Sequence, residues 1–340
     1  MREGAALTAF TERGRALAEQ LADALGGTLR PVGQPLSDWT AECFPACEAL
    51  VFVGAVGIAV RAAAPHIGSK ASDPAVICVD ETGRWAIPLL SGHLGGANAL
   101  AARIAALTGG EAVVTTATDL NGLFAVDLWA KKQGMAVVSP ERIKQVSAKI
   151  LRGEAVVIDS PYSLPRPAPE PVQCGAPGDV LVSYRMTETR ALQLAPKVLT
   201  LGIGCKRGTD AQTLEAAFSR FCAERRILPE AVEKAASIDV KRDEPGLFAF
   251  CARHAWPLAF YSAEELRNVP GDYTASHFVE DAVGVDNVCE RAAVLCANGK
   301  LIEKKYARGG VTFALAERRA EYDWRWQDGE AVCDRARPRR

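Results

Sequence analysis

An α/β protein is predicted, built as two alternating α/β domains with mostly parallel sheets that are joined by a small α/β middle unit. Three observations lead to it. The 340 residues exceed what one typical core organises, so two or three domains are expected. Hydrophobic residues make up 49% of the chain, ample for several cores. They fall in short strand-like runs that alternate with longer stretches of helical spacing, the pattern of a parallel sheet covered by helices.

The first domain is assigned to residues 1–127. Ala5 to Phe10 is strand-like, and Gly14 to Leu25 is helical, with Leu17, Leu21 and Leu25 at four-residue spacing. Ala49 to Val53 is a second strand, and Gly54 opens a helix over Ala55 to His66. Ala75 to Asp80 and Trp85 to Leu89 read as strands across the turn Glu81-Thr82-Gly83. Ala97 to Thr108, rich in Ala and Leu, is a helix, and Ala112 to Thr116 a last strand. Ligands of such sheets sit beyond the carboxyl ends of the strands.

Residues 128–194 form the middle unit. It has a strand at Met135 to Val138, a helix at Pro140 to Leu151, and strands at Ala155 to Ile158 and Asp179 to Tyr184. The prolines between Pro161 and Pro171 exclude helix and central strand, so the unit reads as a connector or lid that ends in a linker from Thr187 to Pro196. The C-terminal domain, 195–318, opens with a strand from Lys197 that runs into a glycine-rich loop, with Thr209 or Asp210 as helix N-cap. Helices at Ala211 to Glu224, Pro229 to Ala235, Pro245 to His254 and Val288 to Ala297, with strands at Ala236 to Asp239 and Leu258 to Ser262, complete it. Residues 319–340 are a tail, frayed over its last ten residues.

A formal net charge of −1 gives no basic field, which argues against nucleic acid as a partner. The ten cysteines are scattered through apolar runs such as Val76-Ile-Cys78, where a thiol acts as a small hydrophobe, and this points to a reducing compartment. The N-terminus has too short an apolar stretch for a signal peptide, and no window approaches 18 uninterrupted apolar residues. A cytoplasmic protein with no membrane partner is expected.

The chemistry concentrates in Pro88-Leu-Leu-Ser91-Gly92-His93-Leu-Gly95-Gly96-Ala-Asn98, where a strand meets a polar loop at the mouth of a helix. Imidazole suits general acid and base work near neutral pH. Asp80 and Glu81 are candidates to orient His93 or to activate water, and Ser91 and Gly92 to bind substrate. Gly95 and Gly96 let the backbone approach a ligand and place helix amides near an anion or a carbonyl oxygen. A packing role for His93 is the bland alternative. Gly54 and Gly57, followed by Arg61, mark a second strand-to-helix turn fit for a carboxylate or phosphate, with packing alone equally weighted. Gly202, Gly204, Lys206 and Arg207 form a third loop, a cradle for carboxylates. Neither loop is a dinucleotide fingerprint or a P-loop. Cys205 reads as a spacer, Cys43 and Cys47 as core residues of a helix, and His277 as a cleft residue of the last domain.

Taken together, Gly54-Ala-Val-Gly-Ile-Ala-Val-Arg61, Pro88 to Asn98 and Thr116-Ala-Thr-Asp119 resemble the N-terminal domain of the CbiG family, the cobalt-precorrin-5A hydrolases of anaerobic cobalamin biosynthesis. Leu201-Gly-Ile-Gly-Cys-Lys-Arg-Gly-Thr209, Gly284-Val285, Cys289-Glu290, Ala292-Ala293, Lys305 and Gly310-Val-Thr312 resemble that family's C-terminal domain, which also occurs alone as CobE. The resemblance implies a hydrolase without a cofactor of its own, the cobalt being carried by a corrinoid substrate. Such an enzyme opens the ring A δ-lactone and releases acetaldehyde to give cobalt-precorrin-5B. His93 would then be the base, Asp80 or Glu81 would aid proton transfer, and Lys206, Arg207 and Arg61 would meet the substrate's carboxylates. A non-catalytic tetrapyrrole carrier is the alternative, and a nucleotide-binding regulator a weaker third. A homodimer and contacts with neighbouring pathway enzymes stay open.

Overall fold

The computed structural model describes residues 3–69, 72–276 and 284–326. The chain packs as two units, Met1–Leu128 and Trp129–Arg340. The first holds a six-stranded sheet, and the second holds two five-stranded sheets. All three are mostly parallel, with helices between their strands. Among the described residues no helix is long and apolar enough to cross a membrane.

In the first unit the order is β2-β1-β3-β4-β5-β6, from β1 (Glu3–Ala9), β2 (Thr28–Leu29), β3 (Cys47–Val53), β4 (Ala75–Val79), β5 (Trp85–Leu90) and β6 (Glu111–Ala112). Central strands β3 and β4 are covered on both faces and are therefore apolar almost throughout. Leu7, Val51, Val53, Ile77 and Val79 pack on one face against Ala18 and Leu21 of α1 (Glu12–Leu25) and Ala101 and Ile104 of α4 (Ala97–Thr108). The alternate residues Ala6, Leu50, Phe52, Val76 and Cys78 meet Trp39 and Phe44 of α2 (Leu36–Ala46) and Ala59 and Ala63 of α3 (Val56–Ala63) on the other. The helix α2 follows Pro35 and contains Pro45; the sequence suggests a helix here only through the pair Cys43 and Cys47. Cys43 lies on it but Cys47 begins β3, so the two cysteines do not share a helix.

One reversal governs where the site falls. β5 runs antiparallel to β4, with Val76 opposite Leu90 and Val79 opposite Ala86, while β6 runs parallel to β5. The chain leaving Leu90 therefore emerges where β4 begins, beside the chain leaving β6. The predicted strand at Ala112 to Thr116 is cut to the first of those residues. Beyond it come two short helices, α5 (Ala117–Leu120) and α6 (Val126–Lys132).

In the second unit the first sheet, β7-β11-β10-β8-β9, comprises β7 (Met135–Val137), β8 (Val156–Asp159), β9 (Val172–Cys174), β10 (Val180–Val182) and β11 (Leu192–Pro196); α7 (Ile143–Leu151) lies between β7 and β8. β11 replaces the end of the predicted linker. It pairs with β10 and β7 and is buried throughout, a fate that Gln193 and Pro196 mask in the sequence. The second sheet, β14-β13-β12-β16-β15, comprises β12 (Leu199–Cys205), β13 (Val232–Ile238), β14 (Leu258–Tyr261), β15 (Gly299–Arg308) and β16 (Val311–Arg318). Its helices include α8 (Ala211–Arg225), α9 (Pro245–Arg253), α10 (Ala263–Arg267) and α11 (Cys289–Ala297). Asp210 is the N-cap of α8, its carboxylate accepting from Thr213 N. The predicted helix at Pro229 to Ala235 is instead a single turn, Pro229–Ala231, followed by β13, because pairing with β12 and burial override the local spacing. The hairpin β15–β16 was missed, although Gly309-Gly310, both at positive φ, is a strong hairpin signal.

α11 crosses β12 so closely that a Cβ on Gly202 would lie 1.7 Å from the Cys289 carbonyl oxygen. Gly202→Ala is predicted to cost roughly 2–3 kcal/mol, since backbone must move. An unchanged midpoint in urea unfolding would refute that contact.

Candidate active site

The loop after β5 is tied into a compact knot by its own backbone. Gly96 N donates to His93 O at 3.0 Å, Ala97 N to Ser91 O at 3.1 Å and Asn98 N to Gly92 O at 3.0 Å. Ser91 has a left-handed backbone (φ 57°), and its hydroxyl donates to Asp73 O at 3.1 Å. A Cβ on Gly95 would lie 2.3 Å from Ser91 Cβ, so the knot closes only around glycine there. The amides of Gly96, Ala97 and Asn98 are thus spent inside the loop. Gly96 N–H, one of the amides the sequence pattern offers to an anion, is therefore already paired.

The knot presents His93. Its Nδ1 lies 3.1 Å from Asp127 Oδ2 and 3.2 Å from Oδ1, with the two side chains 13% and 10% exposed. A carboxylate partner fixes Nδ1 as the protonated nitrogen, so Nε2 carries the lone pair of the neutral ring. Asp127 is held in turn: it sits in the first turn of α6 and its Oδ1 accepts from Leu128 N at 3.1 Å. Asn98 reaches across to Thr116, donating Nδ2–H to its hydroxyl at 3.1 Å. The buried Thr118 hydroxyl, two residues further on, has no hydrogen-bond partner. The loop after β5 thus meets α6 through the His93–Asp127 pair and the segment after β6 through the Asn98–Thr116 hydrogen bond.

Asp80 and Glu81 are elsewhere. They follow the end of β4, whereas His93 follows the end of β5, and a six-residue strand roughly 20 Å long lies between. Asp80 staples its own turn, accepting from Trp85 N at 2.6 Å, from Thr82 N at 3.0 Å and from the Thr82 hydroxyl. Burial opposes its charge, but the Thr82 and Trp85 hydrogen bonds outweigh this and hold the carboxyl below its ordinary value. Glu81 accepts from the Thr11 hydroxyl at 2.7 Å. Neither orients His93; Asp127 does. Asp127 was missed because it lies 34 residues from His93, with no spacing to join them.

Gly54 lies at the same end as Asp80, its N–H bonded to Val79 O at 2.8 Å, and a Cβ there would meet the Phe10 ring at 2.7 Å. Close packing accounts for that glycine. Gly57 and Arg61 are exposed on α3. In the second unit the glycine-rich loop does cradle a carboxylate, but the protein's own: Glu244 Oε2 accepts from Gly208 N at 2.8 Å, and Lys241 Nζ lies 3.0 Å from Oε1. The Gly208 amide leads the effects that lower the Glu244 pKa below the ordinary carboxylate value. Gly202 and Gly204 are explained by the approach of Cys289 and Thr312, while Lys206 and Arg207 are exposed. Burial pushes the Cys205 thiol up, away from reactivity. His277 lies outside the described residues. Among the described residues, no group of three or more His, Cys, Asp or Glu side chains is arranged to hold a metal ion.

Because the folded state lowers the Asp80 pKa, the linked stability is present above the ordinary carboxylate pKa of 3.8 and is lost as pH falls through the lower folded value. Asp80→Ala is predicted to lower Tm at pH 7 without lowering catalysis, and the gap to the parent protein should close as pH falls below 3.8. A gap that stays constant with pH would contradict a charged staple.

Family models match the chain in three consecutive stretches: Cobalamin synthesis G N-terminal over residues 38–119, Cobalamin biosynthesis central region over 124–199 and Cobalamin synthesis G C-terminus over 199–316. The chain is 34% identical to a cobalt-precorrin-5A hydrolase of Salmonella typhimurium, over 92% of this chain and 97% of that one. It is 32% identical to a cobalt-precorrin-5A hydrolase of Priestia megaterium, over 80% and 79% respectively. Protein CobE of a Sinorhizobium species is 33% identical over 35% of this chain and 79% of its own length.

Proposed function

This chain belongs to the cobalamin synthesis G family, and from that premise we propose that it is a cobalt-precorrin-5A hydrolase with His93 as its general base. The observation that carries the residue assignment is the His93–Asp127 pair, held by a loop that three backbone hydrogen bonds close. In the reaction, Nε2 of His93 takes a proton from water as the oxygen attacks the carbonyl of the ring A δ-lactone. Asp127 stabilises the imidazolium that forms. The Thr116 hydroxyl, which accepts from Asn98, retains its own proton to donate to the developing oxyanion.

Collapse of the tetrahedral intermediate breaks the ester C–O bond; the imidazolium gives its proton to the leaving oxygen, which becomes a hydroxyl, and the new carboxylic acid releases its own proton to solvent as a carboxylate forms. The neutral imidazole then takes the hydroxyl proton as the carbon–carbon bond to the macrocycle breaks, its electron pair stays with the ring system, and the two-carbon fragment leaves as acetaldehyde. The macrocycle then takes up a proton, for which imidazolium is a suitable donor. Cobalt enters as part of the substrate, and the protein contributes no cofactor to these steps.

Purified protein incubated anaerobically with cobalt-precorrin-5A should release acetaldehyde. His93→Ala should reduce the rate by roughly 10²–10⁴-fold while tetrapyrrole binding persists, the usual weight of a general base. Asp127→Asn, which keeps the shape but loses the charge, should fall in the same range. Undiminished release from His93→Ala would sink the assignment of the base. Binding with no release from the parent protein would favour a carrier.

A further inference from the structure

We propose that the second unit carries a ligand site of its own, at the carboxyl ends of β8 and β10, which takes a planar organic acid bearing several carboxylates. The inference uses that unit alone and does not depend on the reading of His93. It begins with strand order. In β7-β11-β10-β8-β9 the chain leaves β8 for β9 on one side and leaves β10 for β11 on the other, while β8 and β10 are parallel neighbours. Connections that part in this way open a crevice beyond the carboxyl ends of the two strands, which is where open parallel sheets bind their ligands.

A cavity of about 610 Å³ lies there. Two of its walls are the chain just past β8, residues 161–163, and the chain just past β10, residues 183–185. The third comes from the other sheet of the same unit, from Lys300 near the start of β15 and residues 317–320 at and beyond the end of β16. Its size is that of sites for small organic ligands. Prolines keep the chain after β8 from opening a helix, so tyrosine and cationic side chains, in place of a helix entry, set what the crevice recognises.

Tyr162 and Tyr184 supply aromatic surface. Among the described residues, four cations line the cavity, Arg185, Lys300, Arg318 and Arg319, against the one carboxylate of Glu317. Glu317 is buried and already countered: its Oε1 accepts from the Tyr162 hydroxyl at 2.9 Å, and its Oε2 lies 3.1 Å from Lys300 Nζ. Two of the cations brace the walls. Arg318 reaches Glu233 at 2.7 Å and Lys197 O at 3.0 Å, and Arg185 reaches Glu303 at 2.8 Å. Lys300 and Arg319 are the recognition pair, with side chains 75% and 89% exposed. Each makes one ion pair, to Glu317 and Glu321, and keeps further N–H donors for a ligand. A ligand that brings carboxylates to these two cations and lays a π-bonded body along the tyrosines matches both halves of the lining. A phosphate group alone would use the cations and leave the tyrosines without a role.

The test is calorimetric titration of the full chain with three probes: trimesate, a planar aromatic tricarboxylate; its saturated counterpart, cyclohexane tricarboxylate; and uroporphyrin, a planar macrocycle fringed with carboxylates. Trimesate or uroporphyrin should bind with Kd below about 1 mM, more weakly as salt rises. Binding of trimesate marks a small aromatic acid as the source of this chemistry, and binding of uroporphyrin alone marks a macrocycle. The saturated acid should bind about 3-fold more weakly than trimesate, or worse. The double variant Lys300→Gln, Arg319→Gln, altered only at exposed side chains, should weaken the planar probe about 10-fold. His93→Ala should bind it as the parent does. The double variant assigns the site, and because turnover is not measured, failure of the His93 reading leaves this result standing. Binding of neither planar probe would overturn the proposal, as would equal binding of planar and saturated acids, or affinity unchanged in the double variant.

Discussion

Because β5 runs against β4 while β6 runs with β5, the chain leaves the sheet after Leu90 beside the chain that leaves after Ala112. Everything assigned to the site depends on that reversal. It brings the Ser91–Gly96 loop next to Thr116 and within reach of Asp127, and it carries both away from the carboxyl ends of β1, β3 and β4, where ligands of such sheets are usually sought. Were β5 parallel to β4, Asp80 and His93 would share an end of the sheet, as the sequence alone suggests. The turn Asp80–Trp85 instead folds β5 back at once, and Asp80 holds that turn closed with its own carboxylate.

The site is also a case of polar groups being used to build rather than to bind. A buried or half-buried backbone amide must find a partner. In the His93 loop the partners are neighbouring carbonyls, and in the glycine-rich loop of the second unit the partner is Glu244. Both loops look in sequence like open anion sites, because glycine and a helix start are the marks of one. In the folded protein the same features let the chain turn tightly enough to saturate itself. The proposed chemistry is therefore assigned to side chains, the imidazole of His93 above all, which the paired backbone of the loop holds beside Asp127.

Legibility followed the range of the interaction. Strands β3, β4, β5 and β12 and helices α1, α4, α8 and α9 were readable because their apolar periodicity is a local property. β11 was not, and of β13 only the end from Ala236 was, since Gln193 and Lys234 break the apolar pattern and pairing with distant strands makes the rest. The His93 loop was legible for the same local reason, its Ser-Gly-His and paired glycines being contiguous. Asp127 was not legible at all. It comes from another element, and its role appears only when the sheet order is known.

The same distinction separates conspicuous charge from buried charge. Lys206 and Arg207 are conspicuous in sequence, yet they are exposed, and an exposed cation in water is screened and inexpensive to place almost anywhere. Asp127 is inconspicuous, yet nearly buried, and a buried carboxylate survives only where partners offset its lost hydration. Its partners are His93 and the Leu128 amide, so the fold has accepted a desolvation cost that packing alone does not require. Where such a cost is met beside an imidazole, the proposed role follows from the geometry: a carboxylate at that distance would stabilise an imidazolium formed during proton transfer, and the backbone bonds of the loop hold the two groups together.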